Sequence, residues 1–472
     1  MASQQQSSAL ENELAERAVK RDVTKRRWVN YVWDTLDKPK EERRFLFKLD
    51  AALLSYACFS FFIKFLDQVN INNAFVSGMK EDLGLFGNQL NYMQTCWTVG
   101  YIIIWSVLTF TLCRAKTATH IYVIRFFVGL FESSFYPGLQ YIIGSWYRKD
   151  ELAKRTCIFH VSSVLGAMFS GYLMAAVYHL DGVHGYKGWQ WLFIIDGVIS
   201  LPIALVGFWL IPDVPEISKP WYLTENEVML AQKRMELEGR KPRGKYTIAK
   251  VKRILTSWHI YTLVLVSIFW ANGVIGAAAP AFQLFLKASK KYSVPQINAL
   301  GTVPFAVQAA TTLIFAWLSD GALEGARWPP IIFGGLLNII LGASLAAWDV
   351  ADGWKWACFA LAGISGASGG LFFAWANEIC SRDSEERAIV IASMNTLSYV
   401  VQVWLPLIVF QQVQAPRYYK GWVTVTVLNV CLVLAVFGTW WLQRSEDEKK
   451  AQAVGYAGSD DYEKSEVRGK AE

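Results

Sequence analysis

The stretch RFFVGLFESSFYPGLQYIIGSWYRKDELAKR, residues 125–155, joins an apolar block to a strongly basic turn. The apolar block covers residues 120–145, which is long enough to cross about 30 Å of hydrocarbon as a helix rising about 1.5 Å per residue. The basic turn WYRKDELAKR, Trp146–Arg155, is of the kind that stays on the cytoplasmic side of a membrane. Together they predict a membrane span that ends at the cytoplasm.

The composition indicates the same environment for the whole chain. Charged residues make up 18% of the 472 residues, against about 25% in soluble domains. Trp, Tyr and Phe make up 15%, and membrane–water interfaces are rich in aromatic residues. A large soluble helical enzyme would instead show amphipathic stripes. We therefore predict an all-α polytopic membrane protein whose helices contact the lipid bilayer.

Several other functional classes are disfavoured. The net charge is +7, but the basic residues lie in the termini and short loops, where they set topology, so nucleic acid is not an expected partner. The seven cysteines include no C-x-x-C pair and indicate neither a disulfide framework nor a zinc site. The sequence has no G-x-x-x-x-G-K-[ST] phosphate loop, which disfavours an ATP-driven pump. Without a catalytic constellation, we expect no enzyme, no cofactor and no metal.

Eleven apolar blocks lie on either side of a polar centre, five before it and six after it. They cover approximately 49–69, 90–113, 120–145, 157–179, 190–211, 258–286, 296–318, 328–348, 354–377, 388–411 and 421–442. The predicted domains are a disordered cytoplasmic tail (1–44), a first helix bundle (45–212), a cytoplasmic linker (213–257), a second helix bundle (258–443) and a disordered cytoplasmic tail (444–472). Within the linker, the cap-like sequence TENE predicts a short amphipathic helix from Thr224 to Glu238.

The number of spans before the polar centre conflicts with the charges. The N-terminal tail and the centre are both basic and are both expected in the cytoplasm, which requires an even number of crossings between them. The conflict lies before Arg155, because three blocks precede the basic turn where two or four are needed. The block at 90–113 is the suspect: either it has lost a partner, or one helix is displaced or re-entrant.

Five stretches carry a resemblance to a known family: FLDQVNINNAFVSGMKEDL (65–83), RFFVGLFESSFYPGLQYIIGSWYRKDELAKR (125–155), MFSGYLMAAVYHLDGVHGYKGWQWLFIIDG (168–197), WLSDGALEGARWPP (317–330) and FFAWANEICSRDSEERAIVIASMN (372–395). They resemble the major facilitator superfamily, and within it the anion:cation symporter family and its fungal allantoate permease-like branch. The sequence looks closest to fungal pantothenate and other vitamin–proton symporters. The resemblance covers most of residues 45–442.

The resemblance implies two pseudo-symmetric helix bundles with nominally twelve spans, of which about eleven are visible here. In relatives, a loop and further residues separate the GYI motif from a W-x-x-L-T-F-like stretch, whereas here Gly100 is followed almost directly by Trp105. Roughly 25–30 residues of the usual pattern are absent, enough to remove one crossing of about 20 residues. The second and third spans are therefore expected to be fused. A mis-spliced gene model, a splice variant and a real deletion all remain open.

An internal repeat favours two bundles independently of the resemblance. The turn DELAKRTCIF (150–159) and the turn SEERAIVIAS (384–393) each open a span with acidic and basic residues. Parallel repeats of this kind bind substrate between the two halves.

Two acids in apolar blocks are the proton-coupling candidates. An ionisable side chain in a span costs about 2.5–3.5 kcal/mol and normally faces a cavity or partner. Glu132 lies deep in its block, on one helical face with Arg125, and matches the family's central acid. Asp67 ends the first block, where related symporters carry an acid. The alternatives are a structural ion pair for Glu132 and a capping or solvated position at the outer interface for Asp67.

The substrate-binding candidates are Gln68, Lys64, Arg125, Tyr136, Asn272 and Asn395. The wider family often carries Arg at the position of Gln68, where it grips a substrate carboxylate, and glutamine removes that bidentate clamp. Lys64 either pairs with Asp67, receives a carboxylate, or extends to the interface. Arg125 is a structural anchor, an electrostatic influence on the acid, or a direct contact.

Other polar residues in the spans have two interpretations. Asn272, Gln283, Asn395 and Gln402 could line the pathway, or each could make an interhelical hydrogen bond. His160 is the histidine placed to titrate within a helix, although a structural histidine is the more usual outcome.

The cytoplasmic gate candidates are Asp320, Arg327, Glu378 and Arg387. Asp320 and Arg327 resemble the second-half copy of the superfamily's cytoplasmic loop motif, which implies that they hold the two bundles closed by charge pairing. Glu378, next to Asn377 at the end of a span, is predicted to form a gating ion-pair cluster with Arg382 and Arg387.

The sequence thus favours a secondary transporter that imports a small organic anion, such as pantothenate or another vitamin, with protons. The antiporter glycine–proline motif of the family is missing from VSSVLGAMFSGYLM (161–174), which favours symport. We expect a monomer in the plasma membrane. The alternative is a transport-inactive or sensor-like isoform that lacks one span, or a faulty gene model of a normal transporter.

Overall fold

The computed structural model describes residues 33–79, 82, 111–115, 117–132, 135–237, 247–274, 281–381 and 383–469. The block at 90–113 and the junction from Gly100 to Trp105 therefore lie almost wholly outside the described residues. By its internal contacts the chain divides into two units, Met1–Phe47 and Lys48–Glu472. The described part of the first unit contains a 3₁₀ helix, Asp34–Asp37, and the first residues of the helix Lys40–Leu49. The site described below lies in the second unit.

The described residues form helices and connecting turns, with no strand among them. The helices are α1 Lys40–Leu49, α2 Ser55–Ala74, α3 Ala118–Glu132, α4 Phe135–Trp146, α5 Lys149–Val177, α6 Gly188–Leu210, α7 Glu225–Leu237, α8 Ile248–Thr256, α9 Trp258–Gly273, α10 Ala281–Ala288, α11 Val294–Leu300, α12 Val303–Asp320, α13 Trp328–Ala347, α14 Asp352–Leu361, α15 Gly363–Gly366, α16 Gly369–Ile379, α17 Ser384–Val409 and α18 Tyr419–Gly469. Two π-helical segments, Asp50–Leu54 and Phe75–Met79, flank α2.

Eight helical stretches in the described residues are long and apolar enough to cross a membrane, or nine if the bent pair α8–α9 is one span. The prediction of a polytopic all-α membrane protein is confirmed. The apolar block at 120–145 covers most of α3 and α4, and the two residues between them lie outside the described part of the chain. The pair α8–α9 bends by 57° at Ser257, whose side chain caps α9 by accepting from the His259 amide.

The linker helix forms where the sequence predicts it. The helix α7 covers Glu225–Leu237, within one residue of the predicted bounds. Its capping box is complete: the Thr224 amide donates to Glu227 Oε2 at 2.8 Å, and the Glu227 amide donates to Thr224 Oγ1 at 3.4 Å. Glu227 also accepts a hydrogen bond from Lys48 Nζ at 2.8 Å. Although burial alone would raise the pKa of the Glu227 carboxyl, hydrogen bonds from Lys48 and Thr224 hold it below its usual value.

Glycine lets two pairs of helices approach closely. A Cβ atom at Gly166 on α5 would lie 2.1 Å from the Phe62 carbonyl oxygen on α2. A Cβ atom at Gly363 on α15 would lie 2.2 Å from the Pro304 carbonyl oxygen on α12. Close backbone approach at small residues is how membrane helices gain packing energy without a hydrophobic driving force between them. These two contacts therefore help to fix the helices that surround the site.

The ends of the chain differ from the expectation of disordered tails. The helix α18 continues to Gly469, past the predicted boundary at residue 444, because RSEDEKKAQA consists mostly of good helix formers. Its Arg444 and Glu448 also form an i, i+4 pair at 2.9 Å. At the other end, the described residues include the 3₁₀ helix Asp34–Asp37, which lies before the predicted boundary at residue 45.

Candidate functional site: a central cavity

A cavity of about 360 Å³ lies among helices from both halves of the second unit. The first half contributes α2, α3, α4 and α5, and the second half contributes α9, α10, α12, α16 and α17 among others. Substrate sites of transporters built from repeats lie between the halves. The position of the cavity makes it the candidate substrate site.

The lining combines aromatic rings with carboxamides and hydroxyls. Phenylalanine and tryptophan side chains form apolar walls: Phe61, Phe65, Trp270, Phe282, Phe305, Phe359, Phe372 and Phe373. The polar part of the lining is mostly amide and hydroxyl groups, which donate and accept hydrogen bonds without formal charge. Among the described lining residues, Arg125 is the one that always carries a charge. The cavity therefore suits a small, polar solute with one anionic group.

Arg125, Gln68 and Tyr136, three of the predicted substrate residues, come together at this cavity. Arg125 is 1% exposed, and its Nη2 donates to the Gln68 carbonyl oxygen at 3.4 Å. Tyr136 accepts at its hydroxyl from Gln140 Nε2 at 2.9 Å and stacks on Phe61 with ring centroids 5.0 Å apart. The guanidinium is thus held on the wall by backbone, beside an aromatic surface.

The second half places its predicted polar residues in two different environments. Asn395, Gln283 and Gln402 line the cavity. Asn272 is not among the lining residues; its Nδ2 donates to the Ile268 carbonyl at 2.9 Å and the Ser398 carbonyl at 3.4 Å. The structure therefore gives Asn272 an interhelical hydrogen bond between α9 and α17. His160 on α5 also lines the cavity, with its ring 6.1 Å from that of Trp270.

Lys64 and Asp67 are buried behind the cavity wall rather than in it. Lys64 Nζ lies 5.7 Å from the Phe61 ring centroid and 5.9 Å from that of Phe65, within the range of cation–π attraction. Asp67 lies one turn before Asn70 on α2, and Asn70 Nδ2 donates to Asp196 Oδ2 on α6 at 2.6 Å. Glu132 is the last residue of α3, but its side chain lies outside the described part of the structure, so its predicted role stays a prediction.

The gate candidates fall into two groups on the side of the basic turns. Arg327 pairs with Asp320 and, through Nη2 at 2.8 Å, with Glu378, so all three partners belong to the second half. Arg387 instead reaches the first half, where its Nη1 donates to the Gly144 carbonyl at 3.0 Å and its Nη2 to Ser145 Oγ at 3.2 Å. Arg382 lies outside the described residues.

The opposite side of the cavity is also bridged between the halves. Gln283 Nε2 donates to Asn73 Oδ1 at 2.9 Å, and Asn298 Nδ2 donates to Ser77 Oγ at 2.9 Å. Both bridges use neutral side chains, which break at lower cost than buried ion pairs when the halves separate.

Our sequence reasoning did not single out Asp196, Asn70, Asn73 or Ser170. Asp196 had a visible signal, because it is an acid in the middle of the apolar block 190–211. The two asparagines and the serine are common in membrane helices, and only their mutual contacts distinguish them.

These features define a membrane transporter with a central cavity between repeated halves, and the sequence pattern of the Major Facilitator Superfamily matches residues 102–406. The chain belongs to this family. Membership makes it a transporter of a small molecule rather than an enzyme.

Three fungal relatives match most of the chain. The chain is 38% identical over 427 residues to the MFS transporter PfmaC of Pestalotiopsis fici, covering 85% of this chain and 80% of the relative. It is 36% identical to the pantothenate transporter liz1 of Schizosaccharomyces pombe, and the match covers 83% of this chain and 80% of liz1. It is 33% identical to the pantothenate transporter FEN2 of Saccharomyces cerevisiae, covering 81% and 80%. The resemblance to fungal pantothenate transporters is confirmed.

A solved structure supports the fold. The xylose transporter XylE from E. coli, in a partially occluded inward-open conformation, superposes with a TM-score of 0.57 at 13% identity, covering 82% of this chain and 98% of XylE. The similarity confirms the major facilitator fold and says nothing about the solute.

The alignments also show that this chain is shorter internally than its relatives. The alignment with PfmaC runs over 427 positions but covers about 401 residues of this chain, so about 26 positions of the relative have no counterpart. The alignment with liz1 leaves about 22 such positions. This length is close to one membrane crossing of about 20 residues, and the loss of a span near Gly100 stays a prediction.

Proposed function

We propose that this protein imports a small organic anion, pantothenate or a similar vitamin carboxylate, together with protons across the plasma membrane. The observation that supports the anion is Arg125, the permanently charged residue among the described residues that line the cavity. A buried guanidinium gains from an anionic partner, because its charge is poorly solvated there, and it can hold a carboxylate with two hydrogen bonds.

The other lining groups support a solute that carries amide or hydroxyl groups as well. Gln68, Gln283, Asn395 and Gln402 offer donors and acceptors at the cavity. The aromatic walls would take up the apolar part of such a molecule. Pantothenate combines a carboxylate, an amide and hydroxyls on a short aliphatic frame, and two of the relatives are pantothenate transporters.

The test is uptake in yeast that lacks its own pantothenate transporter. Cells expressing the chain receive labelled pantothenate, with unlabelled biotin, nicotinate or allantoate as competitors. We expect uptake that rises with external acidity, collapses with a protonophore, and is competed best by pantothenate. Uptake of none of the four compounds, or uptake indifferent to the protonophore, would contradict the proposal.

The role of Arg125 has its own variants. Removing a hydrogen bond to a charged group costs about 1.5–3 kcal/mol, equivalent to about 10- to 150-fold in affinity, so R125A is expected to raise KM by that factor. R125K keeps the charge but loses the guanidinium geometry that makes two parallel hydrogen bonds. Its KM should lie between that of the unaltered protein and that of R125A. The matched control is R417K, at an exposed arginine, which should leave uptake unchanged. An unaltered KM in R125A would exclude an anion contact at this position.

A second candidate is a transport-inactive isoform, and the internal shortfall of about 26 positions against PfmaC favours it. Insertion of the corresponding segment of liz1 between Gly100 and Trp105 distinguishes the two. Uptake only after insertion identifies the chain as inactive, whereas equal uptake with and without the insert excludes this candidate.

A further inference from the structure

Asp196 is an acid placed in the middle of α6 with no access to solvent; its exposed fraction is 0%. One carboxylate oxygen, Oδ2, accepts a hydrogen bond from Asn70 Nδ2 at 2.6 Å. The other oxygen, Oδ1, receives no hydrogen bond from a donor among the described residues. Asp67 lies one turn before Asn70 on α2 and is 1% exposed, so its carboxyl is buried on the helix that contacts Asp196, and its charge acts on Asp196.

Two carboxyl groups buried close together favour a shared proton. Both groups ionised would place two negative charges side by side in a medium of low dielectric, where their repulsion is large. A single proton converts the repulsion into a hydrogen bond from one carboxyl to the other. Among the described residues, the guanidinium of Arg125 is the cation that acts on Asp196. Lys64 lies one turn before Asp67 on α2.

A chain of hydrogen bonds connects Asp196 with the cavity. Asn70 donates to Asp196 and accepts at Oδ1 from Ser170 Oγ at 2.5 Å. Ser170 accepts in turn from Asn73 Nδ2 at 2.7 Å, and Asn73 Oδ1 accepts from Gln283 Nε2 at 2.9 Å. Asn73 and Gln283 both line the cavity. The pair is therefore fixed in orientation relative to the solute and to the second half of the chain.

We propose that Asp67 and Asp196 form one proton-binding pair, and that this pair couples proton uptake to anion binding at Arg125. The inference rests on the proposed function for its anion, and it assigns Asp196 a role that a structural acid would not have. An anion bound to Arg125 takes up the positive charge that stabilises ionised Asp196. The pair then binds its proton more tightly, and by reciprocity the protonated pair favours the anion.

The first test reads the proton directly and needs no substrate. Infrared spectra of the purified full-length protein in H₂O and D₂O identify the C=O stretch of a protonated carboxyl group. We expect such a band at neutral pH in the unaltered protein and in D352N, whose aspartate side chain is 77% exposed. The band should be lost in D196N, because the new amide can donate to Asp67 and no shared proton is needed. A band that D196N leaves unchanged would overturn the proposal.

The second test separates binding from coupling in proteoliposomes. In D196N, counterflow exchange of labelled pantothenate should continue. A pH gradient that is acidic outside should no longer drive accumulation, so the pantothenate concentration inside should rise only to that outside. For the unaltered protein, the pantothenate Kd should tighten by up to about tenfold per unit fall in pH, as one linked proton requires. This dependence should vanish in D196N and persist in D352N. Uphill accumulation in D196N equal to that of the unaltered protein would overturn the proposal.

A folding defect and a wrong substrate have distinct outcomes. If D196N does not fold, D196E is the second variant, because it keeps a carboxyl group one methylene further from the backbone. The pH midpoint of uptake should shift in D196E. An unshifted midpoint would contradict a proton shared by Asp67 and Asp196. If the unaltered protein moves none of the four anions, the proposed function fails, and the infrared result alone decides whether Asp67 and Asp196 share a proton.

Discussion

Arg387 on α17 donates through Nη1 to the carbonyl oxygen of Gly144 on α4 at 3.0 Å, although the two residues are 243 positions apart. The guanidinium also lies 5.4 Å from the Tyr141 ring centroid and is almost fully buried. This charged contact joins the two halves on the side of the basic turns, where alternating access requires the halves to separate.

The substitution R387A should therefore favour the conformation open on that side. Loss of hydrogen bonds from a charged donor changes the free-energy difference between the closed and open conformations by about 1.5–3 kcal/mol. This changes the ratio of their populations by about 10- to 150-fold. Cys157 is buried on α5 close to Gly370 and can report the opening in a variant whose other cysteines are replaced. In that background, maleimide should label Cys157 faster when R387A is present. The control is R444A, whose arginine pairs with Glu448 on an exposed face. Equal labelling rates in R387A and the control would exclude a gating contact.

The pair of Asp50 and Arg155 is a candidate for the largest stability effect. Asp50 accepts from Arg155 Nε at 2.8 Å and Nη2 at 2.9 Å, and from the Tyr147 hydroxyl at 2.8 Å. Because Arg155 is fully buried, D50N removes a carboxylate that pairs with a buried charge, and we expect about 3–5 kcal/mol of destabilisation. Thermal unfolding in detergent measures it, with D352N changing little. Recovery in D50N/R155Q would support the electrostatic cause, and an unchanged D50N would refute it.

Gly166 should not tolerate even a methyl group. A Cβ atom there would lie 2.1 Å from the backbone oxygen of Phe62, and backbone cannot move aside as a flexible side chain can. G166A is expected to lower the yield of folded protein and its midpoint of thermal unfolding. The matched control is G138A, because among the described residues no atom beyond its own stretch of helix lies within 4 Å of a Cβ at Gly138. Equal yields from the two variants would show that α2 and α5 can separate without loss.

Asp383 gives a pH dependence of stability with a defined sign. It caps α17 by accepting from the amides of Glu385 at 3.1 Å and Glu386 at 3.2 Å, and it pairs with Arg253 and Lys250. Burial raises the pKa of the Asp383 carboxyl, but the hydrogen bonds and the two cations outweigh this and lower it below its ordinary value.

A lowered pKa means that the ionised carboxylate stabilises the folded state above its ordinary pKa of about 4, and that this stabilisation is lost as pH falls below it. D383N keeps an N-cap side chain but not the charge. The difference in unfolding temperature between the unaltered protein and D383N should thus be constant from about pH 5 to 8 and shrink below about pH 4. A difference that grows on acidification would have the wrong sign.

Much of the site was predictable because its signals are local in the chain. Arg125, Tyr136 and Gln68 stand out as polar or charged residues in apolar blocks, and the structure brings all three to the cavity. Lys64 and Asn272 are also a charged and a polar residue in apolar blocks, but neither lines the cavity. The presence of such a residue in a span does not determine whether its side chain faces the cavity or another helix.

By itself, the sequence determined the membrane class, the positions of most spans, the linker helix and the family. These follow from the length of apolar runs, from capping residues and from motifs, all of which depend on neighbours in the chain. Only the tertiary structure decided that Asp196 meets Asn70, one turn from Asp67, and that Arg387 meets Gly144. It also decided that Arg125 is the charged residue among the described residues that line the cavity. Each of these depends on which faces of distant helices pack together, and that choice is made by close contacts such as Gly166 on Phe62 rather than by any local pattern.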